Sequence, residues 1–253
     1  MFHRILRAIA CALLFCALAP AGARELRIVF YQYTPPYVLE NGSGILVDIT
    51  REALAGAGHR VTPVYAPMGR GAQLFADGQV DGITIVQEAS RLKGHYSADF
   101  VQYQNRAFVV KGIGPSALGS VDDLKGHSVA AFQNASKFLG PAFGQMAAAN
   151  RQYREIAQQD AQVQMLLVGR VEVAVLDDSI FRYYRERLLE KRKVERAQEI
   201  VAFAIFPPTP YKAAFIDPTV RDDFDRGVAA MKRDGRYEAV YRRYLAQSPE
   251  VRR

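Results

Sequence analysis

Along the chain, short apolar runs rich in β-branched residues alternate with stretches whose apolar positions recur every three to four residues. The first kind reads as a buried strand, the second as an amphipathic helix. On this pattern strands are predicted at 26–31, 60–65, 82–86, 106–111, 128–132, 171–176 and 212–216. Helices are predicted at 47–57, 71–77, around 135–148, and at 161–168, 179–191, 220–233 and 237–245, with a short helical start at 120–124. Such alternation predicts α/β architecture with largely parallel sheets.

Two segments divide the pattern. GIGPSALG at 112–119 is a Gly/Pro/Ser loop behind a strand, and FPPTPY at 206–211 places three prolines in four positions after a strand-like run. Residues 103–105 and 207–210 are read as two crossings between lobes. Lobe one is then 24–104 plus 211–253, and lobe two is 105–210. A ligand is expected in the cleft between them, at the C-terminal ends of strands, where open α/β sheets place their sites.

The N-terminus has the three parts of a secretory signal. Arg4 and Arg7 give a positive start, residues 9–19 an apolar run, and Ala21-Gly22-Ala23 a small-residue cleavage site. The run is short for a membrane span. Export with cleavage near Ala23, to the periplasm, is therefore expected. Cys16 follows the bulky Phe15 and Cys11 lies early in the apolar run, so neither fits a lipidated position and both leave with the peptide.

The mature chain then lacks cysteine, which removes disulfides, thiolate nucleophiles and thiolate metal sites from consideration. His59, His95 and His127 are scattered without ligand spacing. No metal or cofactor is expected. Without Arg4 and Arg7 the balance is 31 basic against 26 acidic residues, a net charge of +5. Much of it sits in the run at 182–196, which reads as a solvated helix face; nucleic acid is not expected as a partner.

The segment LRIVFYQYTPPYVLENGSGILVD, 26–48, carries the most chemistry. A strand runs into a turn bearing Tyr31, Tyr33 and Tyr37 and stiffened by Pro35 and Pro36, since proline fixes φ and removes a donor. A helix opens near Asp48. Rigid aromatic rings beyond the end of a strand point to a small-molecule receptor. Tyr33 and Tyr37 either stack on a ligand or cation or pack under the turn. Asp48 is read as a helix cap.

Seven motifs in order resemble one family across almost all of the mature chain. They are YTPPY (33–37) with GILVDI (44–49), LFADGQVDGITI (74–85), SRLKGHYSADF (90–100), SVDDLKGHSVAAFQNAS (120–136), LLVGRVEVAVLDDS (166–179) and DGRYEAVYRRYL (234–245). Their order is similar to that of the bacterial extracellular solute-binding proteins of the polar amino-acid type (family 3), the periplasmic receptors of ABC importers. The resemblance implies a two-lobed type II periplasmic binding protein fold, each lobe a mainly parallel sheet flanked by helices. It also implies capture of a small polar solute, an amino acid or derivative, by a monomer that delivers it to an ABC permease in the inner membrane.

In that family a lobe-one arginine and helix-start N–H groups hold the ligand carboxylate, and a lobe-two aspartate holds its ammonium. The resemblance carries these roles onto Arg91 and Asp177. A guanidinium fork suits a carboxylate, although Arg91 also reads as a surface residue. Asp177-Asp178-Ser179 reads equally as a helix N-cap. Residues 133–136, with Asn134 and Ser136, lie between strand and helix, where bare N–H groups meet an anion or are simply capped.

Three positions depart from the family pattern. Glu88 stands where a threonine usually helps to grip the carboxylate, and an acid there would weaken an anion site beside Arg91. Met68 replaces a covering aromatic. Arg70 adds a second candidate cation, or a solvated helix start. A modified amino acid, a small organic acid or a cationic compound therefore remains open as the ligand.

Two other roles compete. Exported proteins of this architecture include dehydratases acting on cyclic precursors of aromatic amino acids, and Glu88 is the candidate acid if burial keeps it protonated. H-E-x-x-H, G-x-S-x-G and C-x-x-C are absent, and Ser90-x-x-Lys93 lacks the companion motifs of a penicillin-binding nucleophile. A ligand-sensing partner of a membrane sensor is the second alternative.

Overall fold

The structure is a computed structural model that describes residues 24–32, 34–194 and 198–245. Its first half opens with β1 (Glu25–Tyr31), α1 (Ile45–Ala55), β2 (Arg60–Ala66), α2 (Met68–Ala76), β3 (Gly82–Val86), β4 (His95–Tyr96) and β5 (Val101–Tyr103). A second run follows as β6 (Asn105–Val110), β7 (Val129–Phe132), α3 (Ala135–Phe138), α4 (Pro141–Ala149), β8 (Tyr153–Ile156), α5 (Gln159–Leu167), β9 (Val173–Asp177), α6 (Asp178–Glu190) and β10 (Ile200–Phe203). The chain then returns through β11 (Thr209–Phe215) to α7 (Pro218–Asp234) and α8 (Arg236–Leu245).

These elements build two sheets. One has the order β2-β1-β3-β11-β4, with β5 paired to β11; the other has the order β10-β6-β9-β7-β8. The strands at the centre of each βα unit run parallel, β1 with β2 and β3, and β7 with β8 and β9. The strands next to the crossings run antiparallel, β11 against β3, β4 and β5, and β6 against β9 and β10. The sheets are thus mixed, because a strand returning from the other lobe enters its sheet from the opposite end. Local periodicity carries no information on that direction.

Each buried face matches its pattern. Leu26, Ile28, Val29 and Phe30 of β1 are buried, and α1 turns Ile45, Leu46, Ile49, Ala53 and Leu54 inward. Val129, Ala131, Phe143, Val173 and Val175 form the core of the second sheet. A larger apolar cluster runs without a break from Ile28, Phe30 and Phe224 to Phe108, Leu176 and Phe181. The two sheets therefore share a core.

The crossings lie side by side. Tyr103, Gln102 and Val101 pair with Thr209, Pro210 and Tyr211, and the single residue Gln104 separates β5 from β6. The helix expected around 135–148 is broken in two at Gly140, whose φ of 89° no helical residue adopts. Strands β4, β5 and β8 escaped the sequence reading; they are two to four residues long, too short for a period. Asp48 does not cap α1. The helix begins three residues earlier, and its carboxylate instead accepts from Arg243 Nη1 at 2.7 Å and the Tyr244 hydroxyl at 2.6 Å.

Candidate functional site

A cleft of about 300 Å³ opens between the sheets, the size of a small-ligand site. Its floor comes from the ends of strands: Tyr31 at the end of β1, Ile85 in β3, Phe132 and Gln133 at the end of β7, and Asp177 at the end of β9. Tyr103, Thr209 and Tyr211 of the crossings form its back, and Met68 and Phe138 stand at its lips. Sheet order alone brings these positions together.

Asp177 is 3% exposed and belongs to both the hinge and the cleft. Oδ1 accepts from the Tyr37 hydroxyl at 3.0 Å and, as the N-cap of α6, from the N–H groups of Ser179 and Ile180 at 2.9 and 3.1 Å. Oδ2 accepts from the Gln104 N–H at 2.8 Å. Burial pushes this carboxyl up to about 6, against the lowering effect of its hydrogen bonds. The Gln104 carbonyl accepts from Asp178 N–H at 2.9 Å, and its side-chain amide donates to the Phe206 carbonyl at 3.1 Å. One residue thus ties both crossings to the head of α6.

Tyr37 is 1% exposed, stacks on Tyr103 with ring centroids 4.3 Å apart and lies behind the cleft lining. It packs under the turn and orients Asp177. Tyr103 in turn meets Tyr211 edge-on at 5.2 Å. Burial raises the phenols of Tyr31, Tyr103 and Tyr211, that of Tyr31 to about 12, so the rings are neutral at physiological pH. Tyr33 lies outside the described residues.

The anion-binding candidates sit differently. Residues 88–90 close into a 3₁₀ turn capped reciprocally by Gln87 and Ser90, which gives Ser90 a structural task. Arg91 follows in the left-handed region at φ 52°, exposed and off the cleft lining. Glu88 is 75% exposed and faces Lys212 Nζ at 3.8 Å, so it is not the buried acid that the dehydratase alternative needs. Arg70 is likewise exposed on α2 and off the lining, whereas Met68, 54% exposed, is on it.

The loop at 134–136 already holds a carboxylate. Glu155 on β8 accepts from Asn134 N–H at 2.7 Å, from Ser136 N–H at 3.0 Å, from Ser136 Oγ at 2.7 Å and from the Tyr153 hydroxyl at 2.9 Å. Burial pushes Glu155 up, but these bonds outweigh it and hold the group at about 2. Sequence reasoning missed Glu155, since β8 has too few residues to show as a strand. It also left Tyr103, Gln104 and Tyr211 unassigned, though each borders a crossing.

Ile85 is a further feature of the cleft wall. This β-branched residue has φ 56°, beside a register shift between Lys212 and Ala214 of β11. Such a conformation costs of order 1–3 kcal/mol, so strain is stored where the wall faces the ligand space. No group of His, Cys, Asp and Glu among the described residues could hold a metal ion. No helix among them is long and apolar enough to cross a membrane.

No protein-family model matches the sequence, and no curated protein matches it. Solved structures do. An ancestral amino-acid-binding protein described as a precursor of cyclohexadienyl dehydratase matches at 18% identity and TM-score 0.64, over 87% of this chain and 95% of its own. An ancestral arginine-binding protein bound to arginine matches at 20% identity and TM-score 0.62, over 87% of this chain and 98% of its own. A histidine kinase sensor domain with similarity to periplasmic binding proteins matches at 18% identity and TM-score 0.63, over 90% of this chain and 100% of its own. At such identities the likeness speaks for architecture. The chain has the two-lobed α/β fold of the periplasmic amino-acid-binding proteins.

Proposed function

We propose that this protein is a periplasmic receptor that captures a small polar solute, an amino acid or derivative, and hands it to an ABC permease. The observation that carries this reading is the cleft itself. It lies at strand ends contributed by both sheets, it holds a buried carboxylate among tyrosines, and it backs onto two adjacent crossings joined through Gln104. Lobe one is 24–104 plus 211–253 and lobe two 105–210, with residues 1–23 removed on export. A solute that touches both walls favours the closed arrangement by its extra contacts, which is how such a receptor signals occupancy.

A thermal-shift screen of the protein, first unfolded and refolded to strip carried-over solute, tests the reading. Free ligand at a hundred times Kd stabilises by about 2.7 kcal/mol, a readily measured rise in Tm. Absence of any shift across amino acids, amines and small organic acids would end it. The similarity to a histidine kinase sensor domain favours one second reading, a soluble partner of a membrane sensor. Reconstitution of the loaded protein with the permease or with the sensor separates the two. A dehydratase is not favoured, because Glu88 stands exposed and off the cleft.

A further inference from the structure

From the charges of the cleft we infer that the ligand is an organic ammonium with an apolar or aromatic body and no carboxylate. This rests on the receptor reading above. Asp177 is the one formally charged side chain on the cleft lining among the described residues; Arg70 and Arg91 are off it. Asp177 Oδ1 already accepts three hydrogen bonds, but Oδ2 accepts only that of Gln104 N–H. Each carboxylate oxygen has two acceptor positions, so Oδ2, with one in use, keeps one for an N–H of a cation.

A ligand carboxylate has no equivalent partner. The donors that would receive it, the N–H groups of Asn134 and Ser136 and the Ser136 hydroxyl, are all engaged by Glu155. The protein supplies its own anion at that place, and the charge of Glu155 repels a second one. A zwitterionic amino acid entering the cleft would therefore find only neutral donors, such as Asn105, Gln133 and Gln159, and no cation for its carboxylate.

The remaining lining fits the body of the molecule. The uncharged rings of Tyr31, Tyr103 and Tyr211 line the cleft, and aromatic rings attract an ammonium through their faces. Met68 is 54% exposed and Phe138 61% exposed, one on each lobe, and both line the cleft mouth. Large apolar side chains facing solvent on opposite lips gain burial when the lobes close on an apolar group.

Calorimetric titration of matched pairs tests the inference: tyramine against tyrosine, and phenethylamine against phenylalanine. Each amine is expected to bind at least about tenfold more tightly than its parent amino acid. In Glu155→Gln, whose loop donors lose their anion, the gap is expected to narrow through tighter binding of the amino acid. Parent amino acids that bind as tightly as the amines, or more tightly, would overturn the class while leaving the receptor standing. The same holds if both pairs fail and an organic acid binds. Silence across all these solutes would overturn the ligand class, while the receptor reading stands or falls separately on the broad thermal-shift screen.

Discussion

In Asp177 one carboxylate caps a helix, bonds to Tyr37 and Gln104 and lines the cleft. Its native pKa of about 6 lies above the ~3.9 of an unfolded aspartate, so between these values the native state binds more protons. The stability it contributes is complete below about pH 4 and is lost as pH rises through about 6. Two pKa units correspond to ~3 kcal/mol. Asp177→Asn should flatten the fall in urea-unfolding free energy between pH 4.5 and 7.5 by an amount of that order; an unchanged slope would show that another group sets it. Tyr37→Phe removes a donor to the same buried oxygen. It should cost about 1.5–3 kcal/mol at pH 7.5 and clearly less at pH 4.5, where the partner is neutral. Arg91→Ala, by contrast, should leave solute affinity within a factor of about two, since the side chain is exposed and away from the cleft. A large loss in titration would place Arg91 on the ligand after all.

Among the elements, α1 packs closely on α7 at Gly227. A Cβ at Gly227 would lie 2.0 Å from the Ala53 carbonyl oxygen, a backbone atom that cannot turn aside. Gly227→Ala therefore should destabilise by about 1–3 kcal/mol, although alanine is the better helix former. A chemical-denaturation midpoint equal to that of the parent would refute this. Gly44 works differently: at φ 134° it starts α1, and a Cβ there would fall 2.3 Å from the Tyr37 carbonyl oxygen. The turn that carries Tyr37 is thus packed onto the helix it precedes, which fixes the tyrosine against Asp177. The α1 pattern was legible because seven of its eleven residues are buried at helical spacing. Strand β8 was not, because an edge strand of four residues is recognised only by its partner β7.

At the scale of the molecule, one apolar core joins the two sheets and the cleft opens between them. Motion about the paired crossings would open the cleft while leaving each sheet intact. Addition of a bound solute should then lower the radius of gyration measured by small-angle X-ray scattering. Gln104→Ala removes one side-chain bond between the crossings, which stay paired through β5 and β11, and should reduce the ligand-induced contraction with a smaller effect on thermal stability. A contraction equal to that of the parent would remove Gln104 from the hinge.

Most of the strands and helices and the α/β class could be read from the chain, because each rests on local spacing and β-branching. The destinations of side chains could not. Arg91 leaves the cleft because a 3₁₀ turn ends in a left-handed residue, and Glu155 reaches residues 134–136 because β8 pairs in parallel with β7. Tyr103 and Tyr211 become one wall because two segments more than a hundred residues apart pair at the hinge. Local periodicity depends on neighbours in sequence and so was determined by the sequence alone. The charge and shape of the cleft depend on which distant strands meet, and at what register, and only the tertiary structure decided them.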